Sequence, residues 1–221
     1  MLNWSRINTV LLDMDGTLLD LHFDSYFWLE YLPLHYAQVN NLPPVQARDW
    51  LHQRIIKEQG SLNWYCLDYW SKELNINIAK LKREVADRIA FRPFTVDFLA
   101  WLQRQNKRVV IVTNAHQDSF NLKHEITAIG EHVDNVICSH DFGLPKEDPK
   151  FWEQLQAQEP FDKQHTLLVD DSISVLKSAE AYGIEHLVSI IQPDSQAERR
   201  EIDGFMAIDH FDEIVPSLNK P

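Results

Sequence analysis

The stretch Val10 to Leu19, VLLDMDGTLL, ends an apolar run with two carboxylates, Asp13 and Asp15, only two residues apart. Like charges at that spacing repel, so folding alone gives little reason to place them there. Three more apolar runs lead into reactive side chains. Val109–Thr113 ends in Thr113-Asn114, Val133–Cys138 is followed by GLPKEDP with Lys146 between Pro145 and Pro149, and Thr166–Asp170 ends in Asp170-Asp171-Ser172. Singly, each has an ordinary reading. A strand-terminal Asp caps the following helix, Thr-Asn marks a turn, and a loop lysine is a solvated charge. Together they are more telling, because a parallel sheet brings the carboxyl ends of its strands to one edge. Four acids, a hydroxyl and an amine would meet there, beside backbone N–H groups freed at turns and helix starts.

The elements needed to position them can be read from the pattern. Short strand-like runs occur at Thr9–Asp13, Val109–Thr113, Val133–Cys138, Thr166–Asp170, His186–Ile190 and Phe205–Ile208. Helical periodicity fills the intervals: Thr95–Gln103 with Phe98, Leu99 and Leu102; His116–Ile129 with Phe120, Leu122, Ile126 and Ile129; Ser172–Tyr182 with Val175, Leu176 and Ala179. Gly130 and Gly183 follow two of these helices where a C-cap is expected. The alternation predicts an α/β fold, a doubly wound parallel sheet covered on both faces. From Leu21 to about Arg92 the strand signals vanish and the sequence becomes helical and aromatic, punctuated by Pro33, Pro43-Pro44 and Gly60. An all-helical insertion here would hang over the end of the first strand as a lid. The expected domains are 1–20 with 93–221 for the α/β core and 21–92 for the helical cap.

Composition narrows the function. The chain has 221 residues, 44% of them hydrophobic, and a formal charge of -12. That charge argues against a nucleic-acid or anionic-membrane surface, since both would repel it. Asp13 interrupts the first apolar run too early for a signal peptide or a membrane span, so a cytoplasmic protein is expected. Cys66 and Cys138 lie in apolar contexts without CxxC spacing and read as free buried thiols. The ten histidines form neither HxxxH nor HExxH, which favours surface or capping roles over a metal site.

The four motifs in this order resemble the haloacid dehalogenase superfamily, whose members are mostly phosphatases with an aspartate nucleophile. The resemblance rests on DxDGT at Asp13–Thr17, the strand-ending Thr113, Lys146 followed by Pro149, and the pair Asp170-Asp171, with the insertion as the family's cap. The stretches LLDMDGTLLDLHFDSYFW, LNWYCLDYW and FGLPKEDPKFW further resemble the GMP/IMP nucleotidases of that superfamily. One departure is Lys146-Glu147-Asp148-Pro149, where many relatives read K-P-x-P.

The resemblance implies a Mg²⁺-dependent Rossmann-like phosphatase that passes through an aspartyl phosphate. Asp13 would be the nucleophile, Asp15 the acid and base, and Thr113, Asn114 and Lys146 the phosphate-binding groups. The metal would be held by Asp13, Asp170, Asp171 and Asp15, the last through its carbonyl. Hard oxygen donors without a soft ligand suit Mg²⁺ over zinc. The expected partner is a small phosphate ester, a purine nucleoside monophosphate. On a helix beginning near Asn63, with Trp64, Leu67, Trp70 and Leu74 packed inward, Tyr65 and Tyr69 would flank the base and Asp68 would accept the N1–H of guanine or hypoxanthine. Competing readings are a sugar-phosphate phosphatase or phosphomutase, a dehalogenase, and, from another class, a binding protein on an inactive scaffold.

Overall fold

The computed structural model describes residues 2–215. Six strands, β1 (Thr9–Leu12), β2 (Arg108–Thr113), β3 (Asn135–Cys138), β4 (Thr166–Val169), β5 (His186–Ile190) and β6 (Met206–Ile208), form one parallel sheet in the order β3-β2-β1-β4-β5-β6. All six expected runs are present, with no end displaced by more than two residues and β5 matching at both. Because strand side chains alternate, Val10 and Leu12 feed one hydrophobic cluster while Leu11 feeds the other, which gives the sheet a core on each face. The chain winds outward from β1 to β3 and then crosses to β4 on the other side of β1. The crevice for ligands opens at that reversal, at the ends of β1 and β4. Leu12 pairs with Val169, so Asp13 and Asp170 emerge side by side.

In the first interval the helical segment comprises α1 (His22–Tyr26), a π-helical turn (Phe27–Tyr31), α2 (Leu32–Asn40), α3 (Pro44–Lys57), α4 (Leu62–Tyr65), α5 (Leu67–Leu74) and α6 (Ile78–Arg83). Pro33 does not punctuate it as expected. The π turn lets Leu32 N donate to Phe27 O, five residues back, and the missing N–H of Pro33 then falls in the first turn of α2, where no bond is lost. Between α4 and α5 the expected single helix breaks. Cys66 is extended there and its Sγ accepts from Tyr69 N at 3.4 Å, so the cysteine acts as an N-cap. Both cysteines are free, with Cys138 buried and Cys66 half-buried.

The remaining helices, α7 (Thr95–Arg104), α8 (Gln117–Thr127), α9 (Pro149–Gln158) and α10 (Ile173–Tyr182), cover the sheet. Gly183 ends α10 in the left-handed conformation at φ +101°. Gly130 does not end α8. Ala128 takes the left-handed position, and Gly130 instead lies against the His124 ring, where a Cβ would stand 3.1 Å from Nδ1. On α8 the buried face is Ser119, Leu122 and Lys123, whereas Ile126, expected inside, is 49% exposed. None of the described helices is long and apolar enough to cross a membrane.

The two passages between sheet and insertion run together. Leu19 pairs antiparallel with Phe91, Asp20 N donates to Ala90 O (2.9 Å) and Arg92 N donates to Leu18 O (3.0 Å). Beyond this hinge the apolar contact continues, for Phe23, Phe27, Trp70 and Leu81 of the insertion belong to the same cluster as Val10, Leu12 and Ile111 of the sheet. Trp70 is fully enclosed in it and donates from Nε1 to Trp64 O. Trp70→Ala is expected to lower stability by about 3–5 kcal/mol, visible as a drop in the urea midpoint at unchanged slope.

Candidate active site

The turn after β1 is built on Gly16, at φ +83°. A Cβ there would stand 2.9 Å from both Asp171 Cγ and Pro193 Cβ. Both the backbone conformation and the space therefore demand glycine, and its absence of a side chain lets Asp171 approach the β1 turn. Asp170 N donates to Val188 O, and the Asp170 carboxylate caps the turn by accepting from Ser172 N at 2.9 Å.

Lys146 is the centre of the arrangement. Its Nζ donates to Asp13 Oδ1 (2.5 Å), Asp170 Oδ2 (2.7 Å) and Val112 O (3.0 Å), and the residue is 1% exposed. Its backbone N–H donates to Asn114 Oδ1, which ties the loop to the end of β2. A buried ammonium survives only with such partners. Burial alone would lower the lysine pKa, but the charges of Asp13 and Asp170 outweigh it and raise it. Burial pushes Asp13 up to about 6 against the pull of Lys146, with Asp170 adding to the rise. The Thr113 hydroxyl lies beneath, accepting from Ala115 N.

Asp13, Asp170 and Asp171 offer carboxylate oxygens within 4.8 Å of one another. Burial and the charges of Asp13 and Asp170 hold the Asp171 pKa well above its usual value. Three carboxylates against one ammonium leave two negative charges, which a divalent cation would balance. The Asp15 side chain stands apart from this trio and accepts from Lys123 Nζ at 2.6 Å. Burial pushes Asp15 up to about 6, with Lys123 opposing. The two acids that open the sequence thus have separate lysines.

A cavity of about 370 Å³ lies over these groups and is bounded by both sheet edge and insertion. Asp13, Asp15, Thr113, Asn114, Lys146, Asp170 and Asp171 all line it, which brings every expected core residue to one place. Its roof is apolar and aromatic, with Trp28, Leu29, Ile55, Trp64, Tyr65 and Leu67. Of the three expected base contacts the structure brings only Tyr65 there. The break at Cys66 separates Tyr65 from the helix that follows. Asp68 projects outward with its side chain 81% exposed, 3.5 Å from His116 Nε2, and Tyr69 lines a different crevice and donates to Glu58. Trp64, expected to be packed inward, faces the cavity.

Several residues at the site carry no motif. Glu147 accepts from Tyr65 OH (3.0 Å) and Asn114 Nδ2 (2.9 Å), and so joins insertion to sheet. Asp24, Lys82 and Lys123 form buried ion pairs beside Asp15. A signal for the lysines was present: Lys82 and Lys123 each follow a buried leucine, Leu81 and Leu122, on the apolar stripe of their helices, where a solvated charge does not belong.

His116, the N-cap of α8, faces the cavity, and His140 stacks edge-on behind it with centroids 5.1 Å apart. Burial, followed by His116, pulls the His140 pKa down to about 4, with Asp141 and Asp68 opposing. A histidine with a lowered folded pKa contributes its full stability above the unfolded value near 6.5, and loses it as pH falls toward 4, because the unfolded chain takes up the proton first. His140→Gln should therefore flatten the decline in stability between pH 6.5 and 4. Urea midpoints of the two proteins across that window should converge as pH falls.

Comparison with known proteins supplies the family. Residues 7–183 match the model for haloacid dehalogenase-like hydrolases. The chain is 36% identical over 215 residues to the GMP/IMP nucleotidase YrfG of Escherichia coli (strain K12), covering 97% of both chains. It is 30% identical to a phosphoglycolate phosphatase of Nitrosococcus oceani, covering 84% of this chain and 90% of that one. Among solved structures, a HAD phosphatase from Thermococcus onnurineus superposes with a TM-score of 0.75 at 21% identity, over 91% of this chain and 93% of that one, a likeness of fold. With a family match spanning most of the sheet and two phosphatase relatives aligned over most of its length, the chain belongs to the haloacid dehalogenase-like hydrolases and is a phosphoric monoester hydrolase.

Proposed function

We propose that the protein is a cytoplasmic, Mg²⁺-dependent nucleotidase that hydrolyses purine nucleoside 5′-monophosphates, GMP and IMP above all. The observation that carries this reading is the Lys146-bridged pair Asp13 and Asp170, with Asp171 beside it, beneath a cavity roofed by Trp28, Trp64 and Tyr65. The lower half suits a phosphate and its cation, and the upper half suits a flat ring. The volume lies within the range of small-molecule sites, roughly 300–1,000 Å³. Likeness to the E. coli GMP/IMP nucleotidase over 97% of the chain supports the purine.

Asp13, Asp170 and Asp171, with the Asp15 carbonyl, would hold Mg²⁺, which when bound neutralises phosphate charge that would otherwise repel an attacking carboxylate. Asp13 attacks phosphorus, the bond from phosphorus to the ester oxygen breaks, and the leaving 5′-oxygen takes a proton from Asp15. A water then attacks the aspartyl phosphate and gives its proton to Asp15, which releases inorganic phosphate and restores both acids. Lys146, the Thr113 hydroxyl and Asn114 bind the transferring oxygens. Lys146 also fixes the aim of Asp13. At the other end Tyr65, rather than Asp68 or Tyr69, faces the base, together with Trp28 and Trp64.

Inorganic phosphate release from GMP, IMP, AMP and a sugar phosphate tests the substrate. GMP and IMP should lead in kcat/KM, whereas equal turnover of AMP, or a lead for the sugar phosphate, would reject the purine reading. Trp64→Ala should lose roughly 5–150-fold in kcat/KM for GMP, equivalent to about 1–3 kcal/mol of stacking, and much less for a small sugar phosphate. EDTA should silence the enzyme and Mg²⁺ restore it, with Asp171→Ala raising the Mg²⁺ concentration needed more than Lys146→Ala does. Asp13→Asn should leave no turnover, and residual activity above a few per cent would refute the covalent route.

A further inference from the structure

Beside the catalytic edge runs a row of four alternating charges that starts from Asp15 of the first motif and includes two lysines, Lys123 and Lys82, that belong to no motif. Asp15 Oδ1 accepts from Lys123 Nζ at 2.6 Å; the same ammonium donates to Asp24 Oδ2 at 2.7 Å; Asp24 Oδ1 accepts from Lys82 Nζ at 2.5 Å. Both lysines are 1% exposed. Lys82 also lies over the Phe23 and Phe27 rings, 4.8 Å from each centroid. The row crosses from one part of the molecule to the other. Asp15 and Lys123, on α8, belong to the sheet side, whereas Asp24 on α1 and Lys82 on α6 belong to the helical insertion.

Burying two ammonium groups in an aromatic cluster costs stability unless each is fully paired, and well-packed apolar residues commonly do as well or better. A structural tie between insertion and sheet would not need to end on the proton carrier. This one does, and it engages a single oxygen of Asp15, leaving Oδ2 to meet the leaving group. Asp13 has a lysine of its own, Lys146, which takes its Oδ1.

We propose that Lys123 is the positioning residue of Asp15, and that Asp24, anchored by Lys82, makes that positioning depend on the helical insertion being seated. Lys123 is shared between one carboxylate from each side of the molecule, so its ammonium lies on the line to Asp15 only while Asp24 holds its other face. The acid is thereby aimed when the substrate is enclosed, and loses its aim when the insertion lifts. This proposal rests on the reading of Asp15 as the acid that protonates the leaving oxygen.

Leaving-group dependence separates positioning from general damage. The alkoxide leaving from a nucleoside monophosphate needs a proton, whereas nitrophenolate leaving from 4-nitrophenyl phosphate does not. The measurement is the first-turnover release of nucleoside from GMP and of nitrophenolate from the aryl ester, at saturating Mg²⁺, for Asp15→Asn, Lys123→Met, Asp24→Asn and Arg83→Ala. Lys123→Met should slow nucleoside release by about 10–100-fold, the cost of a misplaced reacting group, and leave nitrophenolate release within about threefold. KM for GMP should stay nearly constant. Asp24→Asn, isosteric and less disruptive to folding, should show the same asymmetry in smaller measure. Arg83→Ala, which breaks only the exposed pair with Glu125 between insertion and sheet, should show none. If Asp15→Asn slows both esters equally, the acid reading fails. If Asp15→Asn shows the asymmetry while Lys123→Met and Asp24→Asn slow both esters alike or neither, the positioning proposal is overturned.

Discussion

Repulsion among carboxylates is the constraint around which the molecule is organised. β1 and β4 lie side by side and each ends in a pair of acids, so Asp13, Asp15, Asp170 and Asp171 emerge within one crevice. In a buried setting such a set either takes up protons or recruits cations. Lys146 is held between Asp13 and Asp170 by a loop whose backbone is pinned to Asn114, and Lys123 is held against Asp15 by a helix that buries its stem. Asp171 is left with raised basicity beside two like charges, and Gly16 gives it room. The strand order, the turn glycine and the two buried lysines can all be understood as ways of keeping four acids together without neutralising them.

Much of this was legible in the sequence, for identifiable reasons. Parallel strands buried along most of their length read as short apolar runs, so all six were visible, and Asp13, Thr113 and Asp170 follow directly because they sit at or one step past a strand end, whereas Lys146 comes from the loop after β3. Side chains whose placement depends on tertiary contact were less legible. Nothing local announces that Cys66 will cap a helix, and without that break Tyr65 and Tyr69 look like neighbours on one face. Lys82 and Lys123 stand on the apolar stripes of their helices, but their partners, Asp24 and Asp15, lie 58 and 108 positions away along the chain, so nothing local pairs them. Pro33 looked like a terminator because a π turn that absorbs a proline leaves no compositional trace.

Glu147 shows how a local departure acquires meaning only in three dimensions. Proline at that position would stiffen the lysine loop through its fixed φ. Glutamate gives up that stiffness and obtains two hydrogen bonds in exchange, from Asn114 on the sheet and Tyr65 on the insertion. The loop that holds Lys146 is thereby braced from outside, by the roof of the cavity, instead of from within its own backbone.

The continuous helical run from His22 to Asn40 also has a mechanical consequence. Because the π turn carries the helix through Pro33 without interruption, nineteen residues form one rod, at ~1.5 Å per residue nearly 30 Å long. Asp24 and Trp28 sit on its lower end, by the sheet, and its far end packs on α3. A rod pivoted near its base is a lever: a tilt of a few degrees moves the tip by ångströms but the base by tenths. In a rod pivoted there, a push on the α2–α3 corner would be geared down into small displacements at the Asp24 carboxylate.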